Sequence, residues 1–273
     1  MPATPSIDEA FVQQFEAEVK LDYQRMGSRL AGLGRKANQV TGSSVRFQKM
    51  GTGTAQAKAR HGDVPVLNLD HSYVDAYPTD SYGAEYIDDL DMLKTNIDER
   101  GAVTRSITAA IGRSTDAKIV AALDTSTNND TTSAGLTLAR VILAQQTFNT
   151  NDVPMDGQRY MAIGPAQWSD LLAEDEFVSA DYVGQDALPY KGGLTAKRWL
   201  DFVIFPYTGL TLSTTRRCKA WHKFSVGLGV GLEFSLQVAW VAQKDAWLIT
   251  GKESTGAVLI DQAGVYGINC TDP

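Results

Sequence analysis

Three glycines at alternate positions in SVGLGVGLEF, residues 225–234, could let backbone amides approach a phosphate. A dinucleotide-binding turn needs glycines at the first, third and sixth places, after a buried strand and opening a helix. Here Gly227, Gly229 and Gly231 hold the first, third and fifth places, Leu232 the sixth, and the upstream KAWHKF reads as a poor buried strand. These glycines are therefore expected to serve close packing or tight turning. GKES, residues 251–254, fails in the same way. A phosphate-binding P-loop wants glycine five places before the Gly-Lys pair and Ser or Thr directly after it. Ala246 and Glu253 stand there instead, and a carboxylate would repel the phosphate. In EYIDDLDMLKTNIDE, a calcium loop built on Asp88, Asp89 and Asp91 would continue with Asp or Asn at 93 and glycine at 94. The chain has Leu93 and Lys94, so a solvated or inter-subunit acidic face is expected.

His61, His71 and His222 are the only histidines, and none lies in a metal-binding or G-x-S-x-G context. Cys218 and Cys270 form no C-x-x-C pair and have no histidine at ligand spacing, so both are expected to be reduced and structural. No catalytic, cofactor-binding or metal-binding residue is assigned. A distant rival, a small-molecule enzyme with a site between two halves of the chain, would rest on His222 or Asp116.

The elements around these residues belong to an ordinary globular chain: 273 residues, 43% hydrophobic and 21% charged, enough for one large domain or two modest ones. No run of about 18 apolar residues could span a bilayer. MPATPSIDEAF lacks a basic region followed by an apolar run, so no export is expected and the protein reads as made and used in a cytoplasm. A formal charge of -7 argues against a surface that grips nucleic acid phosphates through clustered Lys and Arg.

Ser6 and Glu9 fit a capping box, and Phe11 or Val12, Phe15, Val19, Tyr23, Met26 and Leu30 recur at helical spacing, predicting an amphipathic helix that ends near Gly32 and Gly34. SSVRFQKM and VPVLNLDHSYV read as two strands. MGTGTAQAKARHGD between them reads as the polar tip of a long two-stranded arm, since it has no side chains to bury in a core of its own. Residues 98–124 predict the longest helix, with Val103, Ile107, Ala110, Ile111, Ala117 and Ala121 as a narrow buried stripe. TSTNNDTTSAG marks the best internal boundary. Beyond it, LTLARVILAQQTF and PAQWSDLLAED predict helices, the second with proline in its first turn. RYMAIG and RWLDFVIFPY predict strands, and AWLITGKESTGAVLIDQAGVYGI three short closing strands in a small antiparallel set.

Arms that cannot bury themselves imply neighbours that bury them. Taken in order, "ARHGDVPVLNLDHSYVDAYPTD", "YIDDLDMLKTNIDERGAVTRSITAAIGRSTDAKIVAALD", "RYMAIGPAQWSDLLAEDEFVSADYVG", "AWHKFSVGLGVGLE" and "WLITGKESTGAVLIDQAGVYGI" resemble the major capsid proteins of tailed bacteriophages. The resemblance covers nearly the whole chain and implies an α+β, Hong Kong 97-type fold. It implies an N-terminal arm at 1–39 and an extended β-hairpin loop at 40–84 lying on an adjacent subunit. A peripheral domain would comprise 85–135 and 236–273, with a spine helix at 98–124. An axial domain at 136–235 would hold the opening glycine run.

The implied function is a structural shell protein that self-assembles as hexamers and pentamers around double-stranded DNA held by containment only. The implied partners are copies of itself, portal and scaffolding proteins, with or without a decoration protein, and no membrane; no cofactor is implied. Because the chain opens directly at the arm, a separate scaffolding protein is the expectation. Some members crosslink subunits through a Lys–Asn isopeptide bond. Lys49 and Lys58 lie in the expected loop, but neither they nor any asparagine match that pattern, so crosslinking is not expected. The nearest rival is an encapsulin-like cellular shell of the same fold enclosing a cargo protein.

Overall fold

Asp98 starts the longest element: its side chain accepts from Gly101 N at 3.0 Å, and helix α1 runs over Glu99–Asp124. Its 26 residues give a strut about 39 Å long. The computed structural model describes residues 24–25, 27–38, 42–88, 90, 98–179 and 196–272.

α1 buries Ile107, Ile111, Thr115, Ile119 and Leu123, so the expected stripe is only half right: Ala110, Ala117 and Ala121 are exposed. Each i to i+4 step advances about 40° around a helix, so a row of such steps drifts across the surface. Ile107 and Ile111 meet Ile87 and Ile249 of one sheet, while Ile119, Val120 and Leu123 join the main core. One helix thereby rests on two bodies.

The first body is a four-stranded sheet ordered β1 (Arg35–Ala37), β10 (Val226–Val241), β11 (Ala246–Leu259), β4 (Thr79–Asp88). β1 runs parallel to β10; the other pairs are antiparallel. The second is a six-stranded mixed sheet ordered β5 (Asn129–Ala134), β12 (Val265–Thr271), β9 (Thr215–His222), β6 (Arg159–Ile163), β8 (Phe202–Pro206), β7 (Lys197–Trp199). Helices α2 (Leu138–Thr150), α3 (Pro165–Leu172, with Pro165 at its start) and α4 (Asp175–Val178) contribute Val141, Ala144, Phe148, Leu171 and Phe177 to the core of this body. A separate hairpin, β2 (Val45–Met50) with β3 (His71–Ala76), forms the arm.

Several expectations change. The predicted first helix lies mostly outside the described residues, and its expected end is not helical: Gly27 has φ +67, and the amides of Arg29 and Leu30 donate to Asp116 instead of to a preceding carbonyl. RWLDFVIFPY is a hairpin, not one strand, because Leu200 (φ 47) and Asp201 (φ 64) turn the chain between β7 and β8. The three closing strands are two. AWLITGKESTGAVL is one continuous strand of the four-stranded sheet, and Val265–Thr271 crosses to the other sheet between β5 and β9. Sheet membership therefore cuts across the expected boundaries at 135 and 236. β5 and β12 belong with residues 159–222, and the glycine run belongs with the four-stranded sheet.

Candidate assembly interface

The arm is fastened at its base and bare beyond it. Val45, Phe47 and Ala76 are buried with Ile260. Gly227 and Gly229 make this docking possible. A Cβ on Gly227 would lie 2.7 Å from the Phe47 ring, and one on Gly229 would lie 2.5 Å from Val45 Cγ2. Arg46 grips Asp75 through two bonds of 2.9 Å and lies over the Tyr73 ring, and Lys49 reaches Asp261 at 2.8 Å. The Arg46 hydrogen bond holds the Asp75 carboxyl below its ordinary range.

Residues 51–70 contain no strand or helix, so the second arm strand begins at His71, later than VPVLNLDHSYV suggested. Gly51 N still donates to Asp70 O at 2.8 Å, which keeps the two limbs side by side. At the far end Val64 is 72% and Val66 77% exposed, with Leu67 beside them. These aliphatic side chains have no cover among the described residues.

A second such surface lies on the four-stranded sheet. β1 pairs with β10 only at Gly227–Gly229, leaving the rest of that strand an open edge among the described residues. Along it Leu232, Phe234, Leu236, Val238 and Trp240 are each between 39% and 47% exposed. A long apolar strand with unpaired backbone is a liability for an isolated protein and a template for association.

Asp116 and the three histidines do not gather into one site among the described residues. Asp116 and His222 have no hydrogen-bond partner in common. Asp116 is 1% exposed and accepts from Ser28 Oγ (2.5 Å), Arg29 N (3.1 Å), Leu30 N (3.0 Å) and Tyr207 Oη (3.0 Å). Burial, followed by the Asp116 charge, pushes the Tyr207 phenol well up. His222 Nε2 lies 3.2 Å from Asp156 Oδ1, and its Nδ1 accepts from Phe224 N at 3.4 Å. His61 and His71 belong to the exposed arm. Glu253 sits within β11 and accepts from Thr115 Oγ1 at 2.5 Å, so GKES is sheet and not a phosphate loop. Asp88 accepts from Leu90 N at 2.9 Å; Asp89 and Asp91 lie outside the described residues. No group of metal-ligating side chains occurs among the described residues, and no described helix is long and apolar enough to cross a membrane. Cys218 and Cys270 are free and buried.

Sequence reasoning missed the buried cations. Arg140 donates to Asp130 and to the carbonyls of Thr132, Ala134, Gly135 and Asn269, binding α2 to β5 and β12. Its acceptors are mostly backbone, which no residue pattern reveals. Against desolvation, the amide of Thr132 and then the Arg140 bond hold the Asp130 carboxyl below its ordinary range.

The family model for phage capsid protein matches residues 7–272, almost the whole chain. This chain belongs to the phage capsid protein family. Its fold is the Hong Kong 97 type, and its role is structural: it is a major capsid protein, a component of the phage head. The capsid of cyanophage P-SCSP1u superposes with a TM-score of 0.77 at 15% identity, covering 99% of this chain and 96% of that one. A Mycobacterium phage Che8 chain gives 0.76 at 17% identity, over 97% and 98%. The capsid of a native GTA particle gives 0.72 at 10% identity, over 99% and 100%. No curated protein matches by sequence.

In this capsid protein, Gly229→Val should push Val45, and the arm with it, off its seat on β10. The expected loss is about 1–3 kcal/mol, as for overpacking elsewhere. Thermal unfolding measures it, and limited proteolysis should show faster cleavage between β2 and β3.

Proposed function

We propose that each subunit lays its arm over neighbouring copies in an icosahedral shell, and that this extension supplies much of the contact holding the shell together. The observation that carries this reading is the apolar surface at Val64, Val66 and Leu67 and along the open edge of β10, which the described chain leaves uncovered. Many modest contacts closed by symmetry yield a container that no single contact could hold.

In this reading the six-stranded body is axial and directs its loops to the five-fold and six-fold positions. The four-stranded sheet with α1 as its spine is peripheral. Portal and scaffolding proteins act during assembly in the bacterial host cytoplasm, with or without a decoration protein afterwards. Double-stranded DNA is contained, not clasped, consistent with a formal charge of -7.

Electron microscopy of the expressed chain, alone and with its scaffolding protein, should reveal closed shells. Particles from infected cells should contain nuclease-protected double-stranded DNA. Persistently monomeric protein in both preparations would overturn the shell reading, and a fixed protein cargo without DNA would favour the encapsulin-like compartment.

A further inference from the structure

Three strands of the six-stranded sheet bring an amine and a carboxamide together across a glycine. Asn129 opens β5 and Lys219 lies in β9, and both are register partners of Gly267 on β12, the strand between them. A side chain at 267 would separate them, since its Cβ would collide with Asn129 Oδ1 and come 3.0 Å from Lys219 Nζ. With bare backbone there, Nζ reaches 3.4 Å from Asn129 Oδ1. Asn129 is held by its own amide nitrogen, which donates to the Ser126 carbonyl at 2.8 Å, so its oxygen is turned towards the amine.

A carboxylate completes the group. Asp124, the last residue of α1, places Oδ1 3.1 Å from Lys219 Nζ, while its Oδ2 accepts from Thr211 Oγ1. Oδ1 is buried and receives no hydrogen bond of good geometry among the described residues, which leaves a lone pair free beside the amine. Lys219 is 1% exposed. Desolvation lowers its pKa against the opposing pull of Asp124, which enlarges the fraction of free, nucleophilic amine. A buried ion pair needs only Lys219 and Asp124. Asn129 itself is exposed and Asp124 half-buried, so only the amine is sealed from water. An oriented carboxamide within reach of that nitrogen, across a position cleared by a glycine, is the arrangement that proximity catalysis requires.

We propose that Lys219 and Asn129 join in an intramolecular isopeptide bond within each folded subunit. The Nζ lone pair attacks Asn129 Cγ, and a proton passes from Nζ to Asp124. Asp124 then delivers that proton to the carboxamide nitrogen, the Cγ–Nδ2 bond breaks, and ammonia leaves. Nothing is oxidised or reduced and no co-reactant is needed. The product ties β9 to β5 over β12, beneath the C-terminal end of α1. The bond forms inside one chain, so it does not depend on shell formation and differs in kind from subunit crosslinking.

Intact-mass spectrometry of the natively folded protein, denatured only for the measurement, should find a deficit of one ammonia. Digestion should yield one branched peptide containing Lys219 and Asn129. Lys219→Arg and Asn129→Ala should keep the full mass for their sequences, and Asp124→Ala should slow or abolish the deficit while circular dichroism reports a folded chain. A full mass and separate peptides from wild-type protein held folded for days at raised temperature would overturn the proposal. Bond formation in Asp124→Ala at the wild-type rate would overturn the assignment of Asp124 as the base.

Discussion

Deleting residues 51–60 should leave a folded subunit that no longer forms shells. The segment is exposed throughout and contributes no buried side chain, so its removal should change subunit stability by no more than about 0.5 kcal/mol. Assembly should respond very differently. If the arm contributes even about 3 kcal/mol of contact per subunit, its loss raises the concentration needed for assembly roughly a hundredfold. Every copy in the shell loses the same contact, so the defect is collective. Unfolding midpoints compared with wild type, together with particle yield by sedimentation and electron microscopy, separate the two effects. Normal shells from the deleted protein would refute the role given to the arm, and a large drop in midpoint would mean that the tip packs on its own subunit.

The arm and α1 were legible in the sequence because each carries a local signal. A polar, glycine-rich segment has nothing to bury, and Ile107 and Ile111 at helical spacing announce a half-buried helix. Elsewhere the signals were misread because distant partners change what a residue means. Gly251 and Gly256 look like breaks, yet they lie within β11. A Cβ at 251 would stand 2.5 Å from Ile107 Cγ2, so that glycine marks where α1 presses on the sheet. KAWHKF reads as a poor buried strand, yet its first four residues are the buried end of β9. In the fold Arg216 pairs with Asp272, and Lys219 with Asp124 on the far side of the sequence. The hairpin between β7 and β8 turns on Leu200 and Asp201, neither of which advertises a left-handed backbone as glycine would. The apolar edge of β10 was not legible, because alternation alone does not say that β1 stops pairing at Gly229.

Asp116→Ala should destabilise the subunit by about 2–5 kcal/mol, because two buried donors would each lose a charged acceptor. The carboxylate receives two backbone amides, a serine hydroxyl and a tyrosine hydroxyl; Leu30 N and Tyr207 Oη are buried and would lose their acceptor outright, whereas Ser28 and Arg29 are exposed and can turn to water. With it would go the anchorage of residues 28–30, and with them Leu30 from the main core. A fall in melting temperature on the order of 10 °C should follow. Tyr207→Phe removes one donor and spares the carboxylate, so it should cost only about 1 kcal/mol. The same pair sets a pH dependence. Tyr207 holds its proton more tightly when folded than when unfolded, so its contribution is complete below its ordinary pKa of 10.0 and declines as pH rises beyond it. Tyr207→Phe should flatten that alkaline decline. Chemical denaturation of the three proteins at neutral and alkaline pH decides the matter. Unchanged stability in Asp116→Ala, with loss of some chemical turnover instead, would return the enzyme reading to contention.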